Sequence, residues 1–87
     1  MTHDEVVQTV KEFILTRFLP GEDPSALTPT TSLISGGILD SLATLEIVSF
    51  LEERYGIELE PHEVDPSHIG TLDGMATLVQ AKTAARG

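Results

Sequence analysis

The sequence predicts an all-α fold: a small bundle of three main helices, with a short helical segment before the last. Three observations predict it. Apolar residues recur at three- and four-residue steps over three separate stretches, the period of a helix with one buried face. Strand-like alternation occurs only at Ile57 to Leu59, and no second run is present to pair with it. Residues that stop or start helices (Pro20-Gly21, Asp40, Gly56 and Thr71) fall at the edges of the periodic stretches.

The first helix is expected over residues 4–19. Val7, Val10, Ile14 and Phe18 form its apolar stripe, and Glu5, Gln8, Thr9, Glu12 and Thr16 cover the other side. Thr2 or Asp4 caps its start, and Pro20-Gly21 stops it. Residues 20–40 form a long connection rich in Pro, Gly, Ser and Thr, with Leu27, Leu33, Ile34 and Ile38 available to pin it. A connection of this length lets the flanking helices run side by side in the same general direction.

The second helix is expected over residues 41–55, with Asp40 as its N-cap and Gly56 as its stop. At ~100° per residue its apolar residues fall into two sets. Thr44, Ile47, Val48, Leu51 and Tyr55, with Phe50 at the edge, form the core face. Leu42 and Leu45 lie opposite, among Glu46, Ser49, Glu52 and Glu53, and two leucines in an acidic face suit a partner-docking surface. Beyond Gly56, Ile57 to Glu60 read as an extended connector. Pro66 to Ile69 read as a short helical turn. Thr71 caps a last helix with Leu72, Met75, Ala76 and Val79 on one stripe. Gly74 costs that helix ~1 kcal/mol relative to Ala, which points to close packing there. The tail after Lys82 is expected to fray, leaving an ordered core of about residues 4–82 in one domain spanning 1–87.

Composition narrows the function. The chain has 87 residues, 40% of them hydrophobic, enough for one small aliphatic core. It contains no cysteine, so disulfides, thiolate metal sites and catalysis by a protein thiol are excluded. The net charge of -9 opposes nucleic acid and anionic membranes and attracts basic partners. Asp40 to Asp65 holds eight acids and one base, Arg54, and so carries -7 of that charge. No apolar run reaches the ~20 residues of a membrane span, and Met1-Thr2-His3-Asp4-Glu5 does not resemble a signal peptide. A soluble, cytoplasmic monomer is expected.

Gly36-Gly37-Ile38-Leu39-Asp40-Ser41 places a flexible pair of glycines before an Asp-Ser step that opens the second helix. Ser41 therefore stands on a rigid element and faces water. In most proteins such a serine only helps to cap. A hydrolytic role would need a base and an oxyanion hole, yet His3, His62 and His68 lie far away in sequence and no G-x-S-x-G elbow is present. No catalytic residue is assigned. His62, Glu63, Asp65 and His68 form the one candidate metal cluster, but the calcium-loop spacing is absent and a solvated acidic surface accounts for them.

Leu39-Asp40-Ser41-Leu42, followed by Glu46, Val48, Leu51, Glu52 and Glu53 and then Tyr55-Gly56-Ile57-Glu58-Leu59, resembles the acyl carrier proteins over nearly the whole chain. The resemblance implies an acyl-carrier-like bundle without catalytic activity of its own. It implies that Ser41 accepts 4'-phosphopantetheine from coenzyme A through a phosphopantetheinyl transferase, with Asp40 as the neighbouring acid. The arm's thiol would then hold an acyl group as a thioester. The resemblance also assigns Leu42, Leu45, Glu46, Ser49, Glu52 and Glu53 to the surface gripped by ligases, transferases or synthases with basic docking patches. The form Gly37-Ile38-Leu39-Asp40-Ser41 is similar to that of discrete carriers that hold aminoacyl groups or serve specialised pathways, and a serine at 49 is smaller than the apolar residue of many fatty-acid carriers. An aminoacyl carrier loaded by an adenylating amino acid ligase is therefore the nearest alternative. An unmodified acidic interaction module, with Ser41 only a cap, is the alternative of another class.

Overall fold

The computed structural model describes the backbone of residues 2–86 and the side chains of residues 2–84. Four α-helices follow one another: α1 (His3–Arg17), α2 (Ser41–Tyr55), α3 (Pro66–Ile69) and α4 (Leu72–Arg86). Two single 3-10 turns, Pro24–Ala26 and Pro61–Glu63, interrupt the connections, and no strand occurs among the described residues.

Helix α1 starts on a reciprocal cap. The Glu5 amide donates to Thr2 Oγ1 at 3.1 Å, and the Thr2 amide donates to Glu5 Oε1 at 2.8 Å. Thr2, not Asp4, is thus the cap. The helix ends at Arg17, two residues sooner than the sequence suggests, because Pro20 disfavours helical geometry at Leu19. Val7, Val10 and Ile14 are buried as expected, Phe18 only half so, and Val6 joins them. Val6 widens the stripe because α1 is covered by more than one neighbour.

Helices α1 and α2 are antiparallel. Arg17 pairs with Glu46, Phe13 stacks on Phe50 at 4.1 Å, and Thr9 shares a concavity with Arg54. Positions falling along α1 thus meet positions rising along α2. The long connection does not align the two helices as expected; it detours. The Leu33 amide donates to the Gly70 carbonyl at 2.7 Å, and the Asp73 amide to the Pro29 carbonyl at 2.9 Å. These bonds seat residues 29–33 on the α3–α4 junction before the chain returns to begin α2. Leu27, Leu33 and Leu39 are buried and hold the detour in place, while Ile34 and Ile38 are only half-buried.

Helix α2 has the expected bounds. Gly56 closes it in the left-handed region at φ 63°. Ile57 is buried beyond it, and the Leu59 amide donates to Glu52 Oε2 at 2.9 Å, tying the connector back onto the helix. Helix α3 also matches the expectation, capped by Asp65 on the His68 amide. His68 Nδ1 lies 2.8 Å from Asp65 Oδ1, and no group of three or more metal-ligating side chains gathers among the described residues. Thr71 Oγ1 caps α4 by accepting from the Gly74 amide at 2.9 Å. A Cβ on Gly74 would run into the His68 carbonyl, so the glycine is required by close packing. Leu72, Met75, Ala76, Leu78 and Val79 are buried, and the helix spans Leu72–Arg86. His3 Nε2 sits 2.5 Å from Asp73 Oδ1, joining the first turns of α1 and α4.

Glu63 ties the second connector to α4. Its Oε1 accepts from the Glu60 amide at 2.8 Å and from Lys82 Nζ at 2.9 Å. The backbone bond first, and Lys82 second, hold its carboxyl below the ordinary 4.5. A carboxyl lowered on folding stabilises the fold above its unfolded value, and that contribution disappears as pH falls through the lower folded value. Glu63→Gln should therefore be less stable than the native chain to urea at pH 7, with the gap closing as pH falls through the lowered folded value of Glu63. A gap that keeps its size as pH falls would contradict this.

Candidate functional site

Three consecutive residues face three different ways at the start of α2. Leu39 is buried, Asp40 caps the helix, and Ser41 is exposed as its first residue. The preceding turn sets this up. Gly37 takes φ 82°, its amide donates to the Ile34 carbonyl at 3.1 Å, and the Ile38 and Leu39 amides both reach the Leu33 carbonyl at 2.9 Å. Asp40 Oδ1 accepts from the Ala43 amide at 2.8 Å, and its carbonyl accepts from both the Thr44 amide at 2.9 Å and Thr44 Oγ1 at 2.8 Å. The anchor, the cap and the outward hydroxyl are one unit.

An open concavity of about 520 Å3 lies beside Ser41, lined by Ile34, Leu39, Asp40, Ser41, Thr44 and Leu45. Its walls are largely aliphatic and include no histidine. The first amides of α2 have no acceptor one turn earlier, and the helix dipole is positive there. A phosphate ester on the Ser41 hydroxyl would sit at that positive helix end, beside the open concavity. These residues fit a phosphate-linked arm.

The six docking candidates divide. Leu42 and Leu45 are 70% and 62% exposed, and they are the exposed large hydrophobic residues among those described. Single exposed leucines are common; two, one turn apart beside Ser41, form a local apolar patch. Ser49 and Glu53 are exposed as well. Glu46 is half-buried and bound by Arg17, whose Nη2 and Nε lie 2.5 and 3.1 Å from its Oε1. Glu52 is half-buried and turned toward the Leu59 amide, so its carboxylate ties the connector. Of the core face, Ile47 and Leu51 are fully buried, whereas Thr44, Val48, Phe50 and Tyr55 are half-buried. Ala43 is buried although the sequence pattern did not single it out.

Arg17, Phe13 and Phe50 also border this face, lining a groove with Leu45, Glu46, Ser49 and Glu53. Helical spacing within α2 could not reveal the two contributions from α1. Their only signal in the sequence was a basic residue and an aromatic one a turn apart near the end of α1.

Residues 15–79 match the family model described as the phosphopantetheine attachment site. A probable acyl carrier protein, PigG, of a Serratia species is 34% identical over 67 residues, which span 77% of this chain and 76% of that protein. One chain in the crystal structure of an FAD-dependent dehydrogenase superposes with a TM-score of 0.72 at 30% identity, covering 80% of this chain and 97% of that one. KstB-PCP in its apo form superposes at 0.70 over 94% of this chain and 90% of that one, at 22% identity, a likeness of fold. This chain belongs to the acyl carrier protein family, whose prosthetic group is covalently attached phosphopantetheine. Members of this family are generally non-enzymatic and work with partner synthases and ligases. None of the helices described here is long and apolar enough to cross a membrane.

The cap gives a direct test of the local geometry. Asp40→Ala should lower stability by about 1 kcal/mol, and Asp40→Asn by less, because asparagine also accepts at an N-cap. Equilibrium urea denaturation reads both, and equal losses would show that the Asp40–Ala43 bond does not hold the helix start.

Proposed function

We propose that Ser41 is the attachment site of the phosphopantetheine arm and that the chain carries acyl intermediates between enzymes. One observation carries this reading: the Ser41 hydroxyl is exposed on the first residue of a capped helix, between a buried anchor and an open concavity. When bound, the arm supplies a terminal thiol that holds a carboxylic acid as a thioester, chemistry that this cysteine-free chain lacks. In the loading reaction a bond forms between Ser41 Oγ and the pantetheine phosphorus of coenzyme A. The pyrophosphate bond breaks, adenosine 3',5'-bisphosphate leaves, and the hydroxyl proton passes to a base of the phosphopantetheinyl transferase. Asp40 acts as a positioning residue, since its carboxylate is engaged with the Ala43 amide.

Docking follows from the same face. Leu42 and Leu45 offer apolar anchors beside Ser41, and Glu53 and Ser49 continue the surface along α2. Glu46 contributes with its charge partly offset by Arg17, and Glu52 acts chiefly by fixing the connector. The acidic field over residues 40–65 speeds encounter with basic patches on the transferase, the ligase and downstream enzymes, and salt screens it. Fast, weak binding suits a carrier that must leave each partner.

Incubation with coenzyme A, Mg2+ and a broad-specificity transferase should add one phosphopantetheine to the intact mass, and Ser41→Ala should take up none. An unmodified interaction module would leave both masses unchanged.

The docking face makes a separate prediction. Glu53→Lys should lower transferase kcat/KM several-fold at low salt, with unchanged circular dichroism and a smaller effect at high salt. Glu52→Lys should in addition cost about 1–2 kcal/mol of stability, because it removes the acceptor of the Leu59 amide. Unchanged kcat/KM in Glu53→Lys at low salt would remove Glu53 from the docking surface.

A further inference from the structure

Resting on the attachment reading, we propose that the groove between α1 and α2 is a resting site for the chain's own cargo, selective for an aminoacyl group. The groove has a volume of about 390 Å3. It is lined in part by the Phe13–Phe50 pair, stacked at 4.1 Å with 13° between the rings. Leu45 belongs both to this groove and to the concavity beside Ser41, so the two hollows adjoin along one side of α2. Ser49 lies eight residues beyond Ser41, about 12 Å along the helix axis at ~1.5 Å per residue. An extended phosphopantetheine arm spans that distance.

Charge selects the cargo. Arg17 is committed to Glu46, which cancels one of the two carboxylates at the rim. Glu53 is exposed and makes no bond to another of the described residues, so the groove keeps one uncompensated negative charge beside two aromatic rings. An amino acid held as a thioester has lost its carboxylate and keeps only its ammonium. That cation is attracted by a carboxylate, while a plain acyl group gains no such attraction. The groove is also open to the surface. At Ser49 a small hydroxyl side chain leaves the space free, and a leucine there would fill it. Because the groove shares Leu45 and Glu53 with the docking face, a partner seated on that face displaces the cargo toward its own active site.

Alanyl and propionyl groups differ by one ammonium and so isolate the effect. The 13C,15N-labelled chain is loaded by the transferase from alanyl-coenzyme A or from propionyl-coenzyme A, and loading is verified by intact mass. NMR spectra of both forms are compared with the pantetheinylated chain without cargo. The alanyl form should shift the Leu45 methyls, the Ser49 and Glu53 amides and the Phe13 and Phe50 rings, and the propionyl form should leave them in place. Glu53→Gln and Ser49→Leu, both at exposed positions, should each abolish the alanyl shifts. Shifts confined to residues 40–44, or identical for the two cargoes, would overturn the proposal while leaving the attachment at Ser41 intact. A mass that does not rise in either loading reaction would overturn the attachment reading and this proposal together.

Discussion

The function proposed for this chain depends on holding a helix start rigid from within while its first side chain faces water. Leu39, Asp40 and Ser41 divide that task. The leucine is sunk in the core, the aspartate satisfies the amide of Ala43, and the serine is left outside. Removing a cap typically costs about 1 kcal/mol, small in total but concentrated where the hydroxyl must be presented. The detour of the long connection serves the same end. By hydrogen-bonding at Pro29 and Leu33 to the α3–α4 junction, it brings Leu39 to its pocket along a supported path.

The acidic surplus plays two parts. Glu5, Asp40, Glu52, Glu63 and Asp65 each accept a backbone amide, capping helices or tying connectors. Bonds of this kind contribute stability because an amide at a helix end or in a connector would otherwise go without a protein partner. Other acids, Glu53 and Glu58 among them, are exposed and contribute a negative field that attracts positively charged surfaces. Within that field Arg17 is a local exception contributed by another helix. It makes the groove beside Leu45 nearly balanced in charge, with Glu53 as the residue that tips it.

Local chemistry was legible in the sequence, and cross-helix geometry was not. The bounds of α2 and α3, the caps at Asp40 and Thr71, the stop at Gly56 and the tight packing at Gly74 all rest on residues within a few positions of one another. So do the exposed Leu42 and Leu45, which follow from the helical period. The end of α1 moved because Pro20 acts before its own position. What periodicity could not supply was partnership. Val6, Ala43 and Leu39 are buried by neighbours distant in the chain. Glu52 and Glu46 read as free surface acids until Leu59 and Arg17 reached them. The antiparallel course of α1 and α2 likewise follows from a detour that no local pattern records.

The most direct measurement of the central claim is a phosphorus–proton correlation in the loaded chain. A 31P NMR spectrum of the pantetheinylated protein should show one phosphodiester resonance coupled to the β protons of Ser41. Coupling to the β protons of any other serine, or a spectrum without a protein-bound phosphodiester, would contradict the account.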